Sequence, residues 1–327
     1  MTVFHGGELA DASARFGDPA KGWIDLSTGI NPWPWPVDSG RLADLQRLPE
    51  RDDLDRLRAA AASAYGIDDP ARIVLAPGTQ ALIQWLPRLR PPEKVSVLAP
   101  TYGEHAPAWR QAGHSVEEVS ALPAPNDQNV VVLTRPNNPD GVICTKADLK
   151  PLAAELQLRE GWLVIDEAFA DLDPRPSIAA QIDSGLIAFR SFGKFYGLPG
   201  LRLGFAIADA RIATLLAAAL GPWPVSTLAA KVGVAALSDS GWQTDTRKRL
   251  AAARQRLDEL LLGAAMEIIG GTDLFRLAQS DTVAEIFDRL GRNGLYVRRF
   301  PENDRWLRFG LPGLEEHWDR LEAALLS

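Results

Sequence analysis

The chain has 327 residues, 46% of them hydrophobic and 24% charged, which is the composition of a globular protein large enough for two domains. A net charge of -7 and a single cysteine, Cys144, speak against a nucleic-acid-binding surface, a disulfide framework and a cysteine metal cluster. The four histidines lack metal-ligand spacing, and neither a signal peptide nor an apolar stretch approaching about 18 residues is present. We therefore expect a cytoplasmic protein that binds no metal, nucleic acid or membrane.

Short apolar runs alternate with helical patterns through the middle of the chain, which predicts an α/β fold with a mainly parallel sheet. The predicted strands are 72–75, 94–99, 130–134, 162–165, 186–189 and 204–208. The predicted helices between them are 79–89, 106–112 and 146–158. After residues 221–224, a second α+β domain is indicated by a helix over 226–263, strands 274–277, 295–299 and 305–310, and helices 282–291 and 314–326.

We divide the chain into three parts on this basis. Residues 1–40 form an N-terminal arm that packs with the small domain and the active site, 41–220 form the large domain, and 221–327 form the small C-terminal domain. The arm is extended and rich in proline, and the sequence gives it no clear place in a sheet. Ligands of parallel sheets bind at the carboxyl ends of strands, where the motifs described next are found.

A lysine segment follows the strand at 186–189. Residues 191–204 read Ser-Phe-Gly-Lys-Phe-Tyr-Gly-Leu-Pro-Gly-Leu-Arg-Leu-Gly. The amine of Lys194 is suited to form a Schiff base, and the small neighbours let a bulky cofactor approach the backbone. Ser191 and Arg202 can bind a phosphate. Taken alone, the segment could also be an exposed loop lysine beside a glycine-rich turn.

This segment resembles the cofactor-attachment motif of the class I/II aminotransferases, the fold-type-I family of pyridoxal phosphate (PLP) enzymes. The resemblance implies the fold-type-I transferase fold, with a mainly parallel large domain and a smaller α+β domain. It also implies that Lys194 holds PLP as a Schiff base, with Arg202 eight residues further on at the phosphate. The family's active sites lie at dimer interfaces, so a homodimer is the expectation.

Further motifs of the same family lie between residues 76 and 168. By resemblance, Asp166 pairs with the pyridine nitrogen of PLP, Asn138 bonds its phenolic oxygen, and Tyr102 stacks on its ring. Gly78, Thr79 and Gln80 begin a helix, where backbone N–H groups bind anions, and the resemblance puts the PLP phosphate there. Each motif alone has another interpretation: a strand-ending aspartate can cap a helix, Asn-Asn-Pro-Asp-Gly is a good turn, and an aromatic residue can be core.

Two arginines of the second domain resemble substrate-binding residues of the family. Arg308, within Trp-Leu-Arg-Phe-Gly, matches the arginine that clamps the substrate carboxylate. Arg298 matches the arginine that relatives with phosphorylated substrates use for the substrate phosphate, whereas Arg299 faces the other side of the strand. The alternative for these residues is an ordinary surface arginine.

The N-terminal arm resembles one branch of the family, the threonine-phosphate decarboxylases of cobalamin biosynthesis. The matching tracts are His-Gly-Gly at 5–7 and Asp-Leu-Ser-Thr-Gly-Ile-Asn-Pro at 25–32. The resemblance implies that His5, Gly6, Gly7 and Asn31 bind the substrate, with glycine N–H groups and polar side chains as donors. An arm that only packs against a partner subunit is the alternative.

Two departures bear on the activity. Phe169 stands where histidinol-phosphate aminotransferases usually have a tyrosine, and Leu48 stands where many relatives have a tyrosine that reaches the partner's PLP phosphate. The sequence thus favours decarboxylation of L-threonine O-3-phosphate. Because a carboxylate clamp at Arg308 suits transamination, a histidinol-phosphate or related amino-acid aminotransferase stays open. A third possibility is a non-catalytic protein with this fold, against which the intact set around Lys194 argues.

Overall fold

In the computed structural model the protein is described over residues 6–124, 128–175, 177–181 and 184–326. The helices are α1 (Leu9–Phe16), α2 (Arg51–Tyr65), α3 (Thr79–Trp85), α4 (His105–Gln111), α5 (Lys146–Gln157), α6 (Phe192–Phe195), α7 (Ala210–Leu220), α8 (Thr227–Leu237), α9 (Ser240–Gly263), α10 (Val283–Arg292) and α11 (Glu315–Leu326). The strands are β1 (Ile24–Leu26), β2 (Ile73–Ala76), β3 (Lys94–Leu98), β4 (Ser115–Val119), β5 (Val130–Thr134), β6 (Trp162–Asp166), β7 (Leu186–Ser191), β8 (Gly204–Ile207), β9 (Glu267–Thr272), β10 (Phe275–Gln279), β11 (Leu295–Phe300) and β12 (Asn303–Gly310).

The chain divides into two compact units, which we name after their sheets. The large-sheet unit comprises Pro34–Asn138 and Ile143–Gln243. The small-sheet unit comprises the described residues of Met1–Trp33, Pro139–Val142 and Thr244–Ser327. Neither unit is therefore built from a single continuous stretch of the chain.

The large sheet has seven strands in the order β2-β8-β7-β6-β5-β3-β4. Its strands are parallel except for β8, which runs antiparallel to both β2 and β7. Every residue of β5 and β6 is buried, which accounts for their continuous apolar sequences, since helices cover both faces of a parallel sheet. The predicted α/β fold with a mainly parallel sheet is confirmed.

The carboxyl ends of three neighbouring strands carry several of the predicted cofactor residues. Thr134 pairs with Asp166 at the ends of β5 and β6, and Asp166 pairs with Phe189 in β7. Lys194 follows β7 directly, in the short helix α6. The parallel register therefore brings residues that are far apart in sequence to one edge of the sheet.

The small sheet has five strands in the order β1-β11-β12-β10-β9. The sequence indicated no clear place in a sheet for the N-terminal region. This expectation was wrong, because β1 runs parallel to β11, with Ile24 beside Leu295. The region also contains α1, whose Phe16 packs edge-on against Phe287 at 5.7 Å between ring centroids. A strand of three residues is too short for its alternation of buried and exposed side chains to stand out in the sequence.

The helix predicted over 226–263 is interrupted after Leu237, so that α8 and α9 are separate. The carboxylate of Asp239 accepts the N–H of Trp242 at 3.0 Å and so caps the beginning of α9. The units divide after Gln243, whereas the sequence divided the domains at 220. The helix α8 belongs to the large-sheet unit because it packs closely on α2: a Cβ at Gly233 would lie 2.6 Å from a methyl of Leu57.

A cluster of charged side chains is buried in the large-sheet unit, directly after the strand that ends at Asp166. Glu167 accepts hydrogen bonds from Arg190 at 3.1 Å, from Ser177 at 2.7 Å and, more weakly, from Arg135 at 3.5 Å. Arg190 also donates to Asp171. Burial alone lowers the pKa of Arg190, but the two carboxylates outweigh burial and raise it above its ordinary value. The cluster is thus a balanced set of two cations and two anions.

Candidate active site

Asp166 ends β6 and is held on both of its carboxylate oxygens. One oxygen lies 3.1 Å from Nε2 of His105, and the other accepts the N–H of Ala168 at 3.0 Å. Asp166 and His105 are both almost completely buried. Asp166 could be predicted from the sequence but His105 could not, because their contact spans 61 residues and no local pattern marks a histidine at the beginning of α4.

Tyr102 and Gln80 contact each other beside this pair. The hydroxyl of Tyr102 donates to the side-chain oxygen of Gln80 at 3.2 Å, and the amide group of Gln80 donates to Glu104 at 2.9 Å. The ring of Tyr102 meets the ring of His105 edge-on at 6.0 Å between centroids. The side chain of Gln80 therefore orients Tyr102, and a phosphate at this turn would rely on the backbone of Gln80.

The turn that precedes α3 is brought close to the lysine segment by two glycines. Gly78 has a φ of 82°, and a Cβ there would lie 2.6 Å from Nη2 of Arg202. Gly204 pairs with Ser191 on one side, and a Cβ on Gly204 would lie 2.6 Å from the backbone nitrogen of Thr79. The guanidinium of Arg202, the hydroxyl of Ser191 and the backbone N–H groups of the turn therefore lie close together. Side chains at the two glycine positions would block access to them. This set of hydrogen-bond donors suits a phosphate.

Lys194 is half-buried, and its Nζ lies 5.6 Å from the ring centroid of Phe169, which is buried. The sheet edge therefore offers an amine, the fixed carboxylate of Asp166, and the donor set around Gly78. An aromatic aldehyde with a ring nitrogen and a phosphate, as in PLP, finds a complementary group here for each of these three features.

The loop that follows β5 is tied to the loop that follows β3. Asn137 donates its amide N–H to the carbonyl of Pro100 at 2.9 Å, and its oxygen lies 2.9 Å from the hydroxyl of Thr101. That hydroxyl also lies 2.8 Å from the hydroxyl of Thr134. Asn138, the predicted cofactor residue, is half-buried directly after this connection. The role of Asn137 could not be predicted from the sequence, since two consecutive asparagines in a turn give no sign of which one is the more buried.

The small-sheet unit contains the two predicted substrate arginines side by side. Arg298 in β11 and Arg308 in β12 are direct cross-strand partners. Arg308 is buried, and its Nη2 donates to the carbonyl of Ser27 at 2.7 Å. Burial, and then the positive charge of Arg298, lower the pKa of Arg308 to about 9, while Asp25 acts in the opposite direction. Two adjacent guanidinium groups at a site that is partly shielded from water favour an anionic ligand.

The residues of the N-terminal tracts lie in the same unit. Gly7 donates its N–H to the hydroxyl of Ser27 at 2.7 Å, so this N–H is used within the protein. Asn31 is buried, and its side-chain oxygen accepts the N–H of Trp33 at 2.9 Å. Gly6 is half-buried against Ser27. His5 lies outside the described residues.

Across the described ranges, no group of three or more histidine, cysteine, aspartate or glutamate side chains is arranged to hold a metal ion. None of the helices in these ranges is long and apolar enough to cross a membrane.

Comparison with known proteins points to one family. Residues 38–321 match the family model described as aminotransferase class I and II. The chain is 45% identical to threonine-phosphate decarboxylase of Pseudomonas aeruginosa, over 99% of this chain and 97% of that protein. It is 40% identical to threonine-phosphate decarboxylase of a Sinorhizobium species, over 94% and 93%. The solved histidinol-phosphate aminotransferase of Sinorhizobium meliloti with pyridoxal-5'-phosphate superposes with a TM-score of 0.82 at 22% identity, covering 99% of this chain and 94% of that one.

Proposed function

Because the chain belongs to the class I and II aminotransferase family, we propose that it is a PLP-dependent decarboxylase of L-threonine O-3-phosphate. The product is (R)-1-amino-2-propanol O-2-phosphate, and the role is in cobalamin biosynthesis. The observation that carries the proposal is the cross-strand pair of Arg298 and Arg308, since this substrate has two anionic groups, a carboxylate and a phosphate. The two threonine-phosphate decarboxylases that are at least 40% identical over nearly the whole chain support the same activity.

The large-sheet unit holds the cofactor in this proposal. Lys194 forms the covalent attachment, Asp166 keeps a proton on the ring nitrogen, and Tyr102 packs against the ring. Asn138 donates to the phenolic oxygen. The phosphate is bound by the remaining predicted residues, Gly78, Thr79, Gln80, Ser191 and Arg202. When bound, PLP supplies an electron sink for the bond that breaks at the substrate Cα.

The small-sheet unit binds the substrate anions. Arg308 takes the carboxylate and Arg298 the phosphate, with Gly6, Asn31 and His5 as further donors to the phosphate. The grip on the phosphate, rather than the contact of Arg308 with the carboxylate, orients the substrate so that the Cα–carboxylate bond and not Cα–H is the one that breaks. CO2 leaves with that bond, and Nζ of Lys194 delivers the proton that replaces it at Cα.

Phe169 bears on the choice between decarboxylase and aminotransferase. Its ring lies 5.6 Å from Nζ of Lys194 and has no hydroxyl to donate to the cofactor's phenolic oxygen, unlike the tyrosine that is usual in histidinol-phosphate aminotransferases. A histidinol-phosphate or related amino-acid aminotransferase is the second candidate, favoured by a carboxylate clamp at Arg308.

One assay separates the two activities. Purified protein with PLP and L-threonine O-3-phosphate, without an oxo-acid acceptor, is expected to release CO2 and form aminopropanol phosphate. Histidinol phosphate with 2-oxoglutarate is expected to give no turnover. The opposite pattern would overturn the decarboxylase in favour of the aminotransferase, and binding of PLP without either activity would favour the non-catalytic protein.

Replacing Arg298 by alanine is expected to raise the KM for L-threonine O-3-phosphate by about 10- to 100-fold, because a charge-assisted hydrogen bond to the phosphate is lost. The absorption spectrum of bound PLP is expected to stay unchanged. Arg299→Ala is the matched control, since the guanidinium of Arg299 lies 5.0 Å from the ring centroid of Phe287 on the other face of the strand. Loss of PLP in Arg298→Ala would mean that Arg298 binds the cofactor phosphate instead.

We also propose that the enzyme works in the cytoplasm as a homodimer. Support comes from exposed apolar side chains in the large-sheet unit, including Leu45 at 59%, Leu48 at 61% and Trp223 at 58% of full exposure. A second subunit that covers these side chains would remove their apolar surface from water, which is favourable. Light scattering on the purified protein distinguishes a dimer from a monomer.

A further inference from the structure

Ser27 lies at the centre of the hydrogen bonds that hold the two anion-binding parts of the small-sheet unit. The residue is completely buried. Its carbonyl accepts the guanidinium of Arg308 at 2.7 Å, and its hydroxyl oxygen accepts the N–H of Gly7 at 2.7 Å. One residue therefore contacts both the arginine assigned to the carboxylate and the Gly6–Gly7 segment assigned to the phosphate.

Asp25 determines which way the hydroxyl of Ser27 points. One carboxylate oxygen of Asp25 accepts the N–H of Ser27 at 2.8 Å and its hydroxyl at 2.6 Å. A serine hydroxyl has a single proton. Because this proton is donated in the hydrogen bond to the carboxylate, only lone pairs are left to accept the N–H of Gly7. Because the bond to Asp25 is charge-assisted, it is stronger than a neutral one, and it fixes Ser27 as an acceptor for the arm.

Residues with side chains larger than that of glycine are disfavoured at positions 6 and 7, where the arm contacts Ser27. A Cβ at Gly6 would lie 2.5 Å from the carbonyl oxygen of Ser27, closer than such atoms approach. Gly7 has a φ of 88°, which side-chain-bearing residues rarely adopt. The segment therefore lies directly on the backbone of Ser27, and the hydroxyl of Ser27 bonds it through the N–H of Gly7.

Building on the proposed function, we infer that Ser27 is a positioning residue for the phosphate end of the substrate. Its hydroxyl holds the Gly6–Gly7 segment in place, whereas its backbone carbonyl holds Arg308 for the carboxylate. Only the first of these contacts depends on the side chain. A Ser27→Ala substitution therefore separates binding of the phosphate from binding of the carboxylate.

The experiment uses the PLP-loaded enzyme and two ligands that each lack one anion. O-Phosphoethanolamine has an amine and a phosphate, and L-threonine has an amine and a carboxylate. Their dissociation constants are measured from the change in the PLP absorption band. In Ser27→Ala, the constant for O-phosphoethanolamine is expected to rise about 5- to 10-fold, the effect of one lost hydrogen bond, while that for L-threonine stays within about twofold.

Ser13→Ala is the matched control, because it also removes a serine hydroxyl that accepts an N–H in the same unit, here the indole N–H of Trp23 at 2.9 Å. It is expected to leave both constants unchanged. Ser27→Cys keeps a side chain of similar size, but its sulfur is only a weak acceptor for the N–H of Gly7. This second variant is expected to show the same selective loss, so the inference stays testable if Ser27→Ala does not fold.

Equal weakening of both ligands, or no weakening of O-phosphoethanolamine, would contradict the role of Ser27. The proposed function fails by a different result, the absence of CO2 from L-threonine O-3-phosphate with the wild-type enzyme. The two failures are therefore distinguishable, since the first is read from binding in a variant and the second from turnover in the wild type.

Discussion

Replacing Lys194 by alanine is expected to abolish the absorption band of bound PLP near the visible edge and to lower the decarboxylation rate at least about 10³-fold. The band is lost because no other amine takes the place of Lys194 in the covalent attachment, and the rate falls because the proton donor to Cα is removed as well. Absorption spectra and CO2 release of the purified proteins measure the two effects.

Lys150→Ala is the control for this substitution, since Lys150 is an exposed lysine of α5 in the same unit. Reduction of the wild-type enzyme with borohydride, followed by peptide mass spectrometry, locates the attachment directly. A wild-type protein that shows no such band after incubation with PLP, or a modified peptide that does not contain Lys194, would refute the central assignment.

Replacing Arg190 by methionine is expected to destabilise the protein by about 3–5 kcal/mol, because the carboxylates of Glu167 and Asp171 would stay buried without their main cation. Methionine fills most of the volume of the arginine side chain, so the decrease in the free energy of unfolding reflects the missing positive charge rather than a cavity. Unfolding by urea, followed by circular dichroism, measures the change.

Arg175→Met is the matched control in the same unit. Arg175 pairs with Asp173 at 2.7 Å, but its side chain is 87% exposed, so the substitution is expected to leave the unfolding midpoint unchanged. A loss of stability in Arg190→Met no greater than in the control would mean that the buried cluster does not stabilise the fold.

The sheet of the large unit could be predicted from the sequence because its central strands are apolar runs separated by helical patterns. The edge strand β4 was missed, since its residues Ser115–Val119 are polar and largely exposed. In the small unit, β1 was missed because three residues carry little periodic signal, and the pairing of Ile24 with Leu295 depends on contacts across most of the chain.

The predicted cofactor residues share a different property: each sits in a short motif whose spacing can be recognised locally. Residues that act through a partner distant in sequence could not be found that way. His105 lies beside Asp166, 61 residues further on, and Ser27 bonds Arg308, 281 residues further on. Asp25 and Ser27 fell within a recognised tract, but only the folded geometry shows their hydrogen bonds.

The parallel pairing of β1 with β11 constrains the order in which the chain can fold during its synthesis on the ribosome. The residues between Ile24 and Leu295 take roughly 15–50 s to synthesise at ~5–20 residues per second. During that interval the strands of the large sheet emerge and can pair, while β1 and α1 have no partners. A segment that is translated well before its partner strand is thus among the last to fold, and Gly6, Gly7 and Asn31 reach their final positions only after Arg308 has been added to the nascent chain.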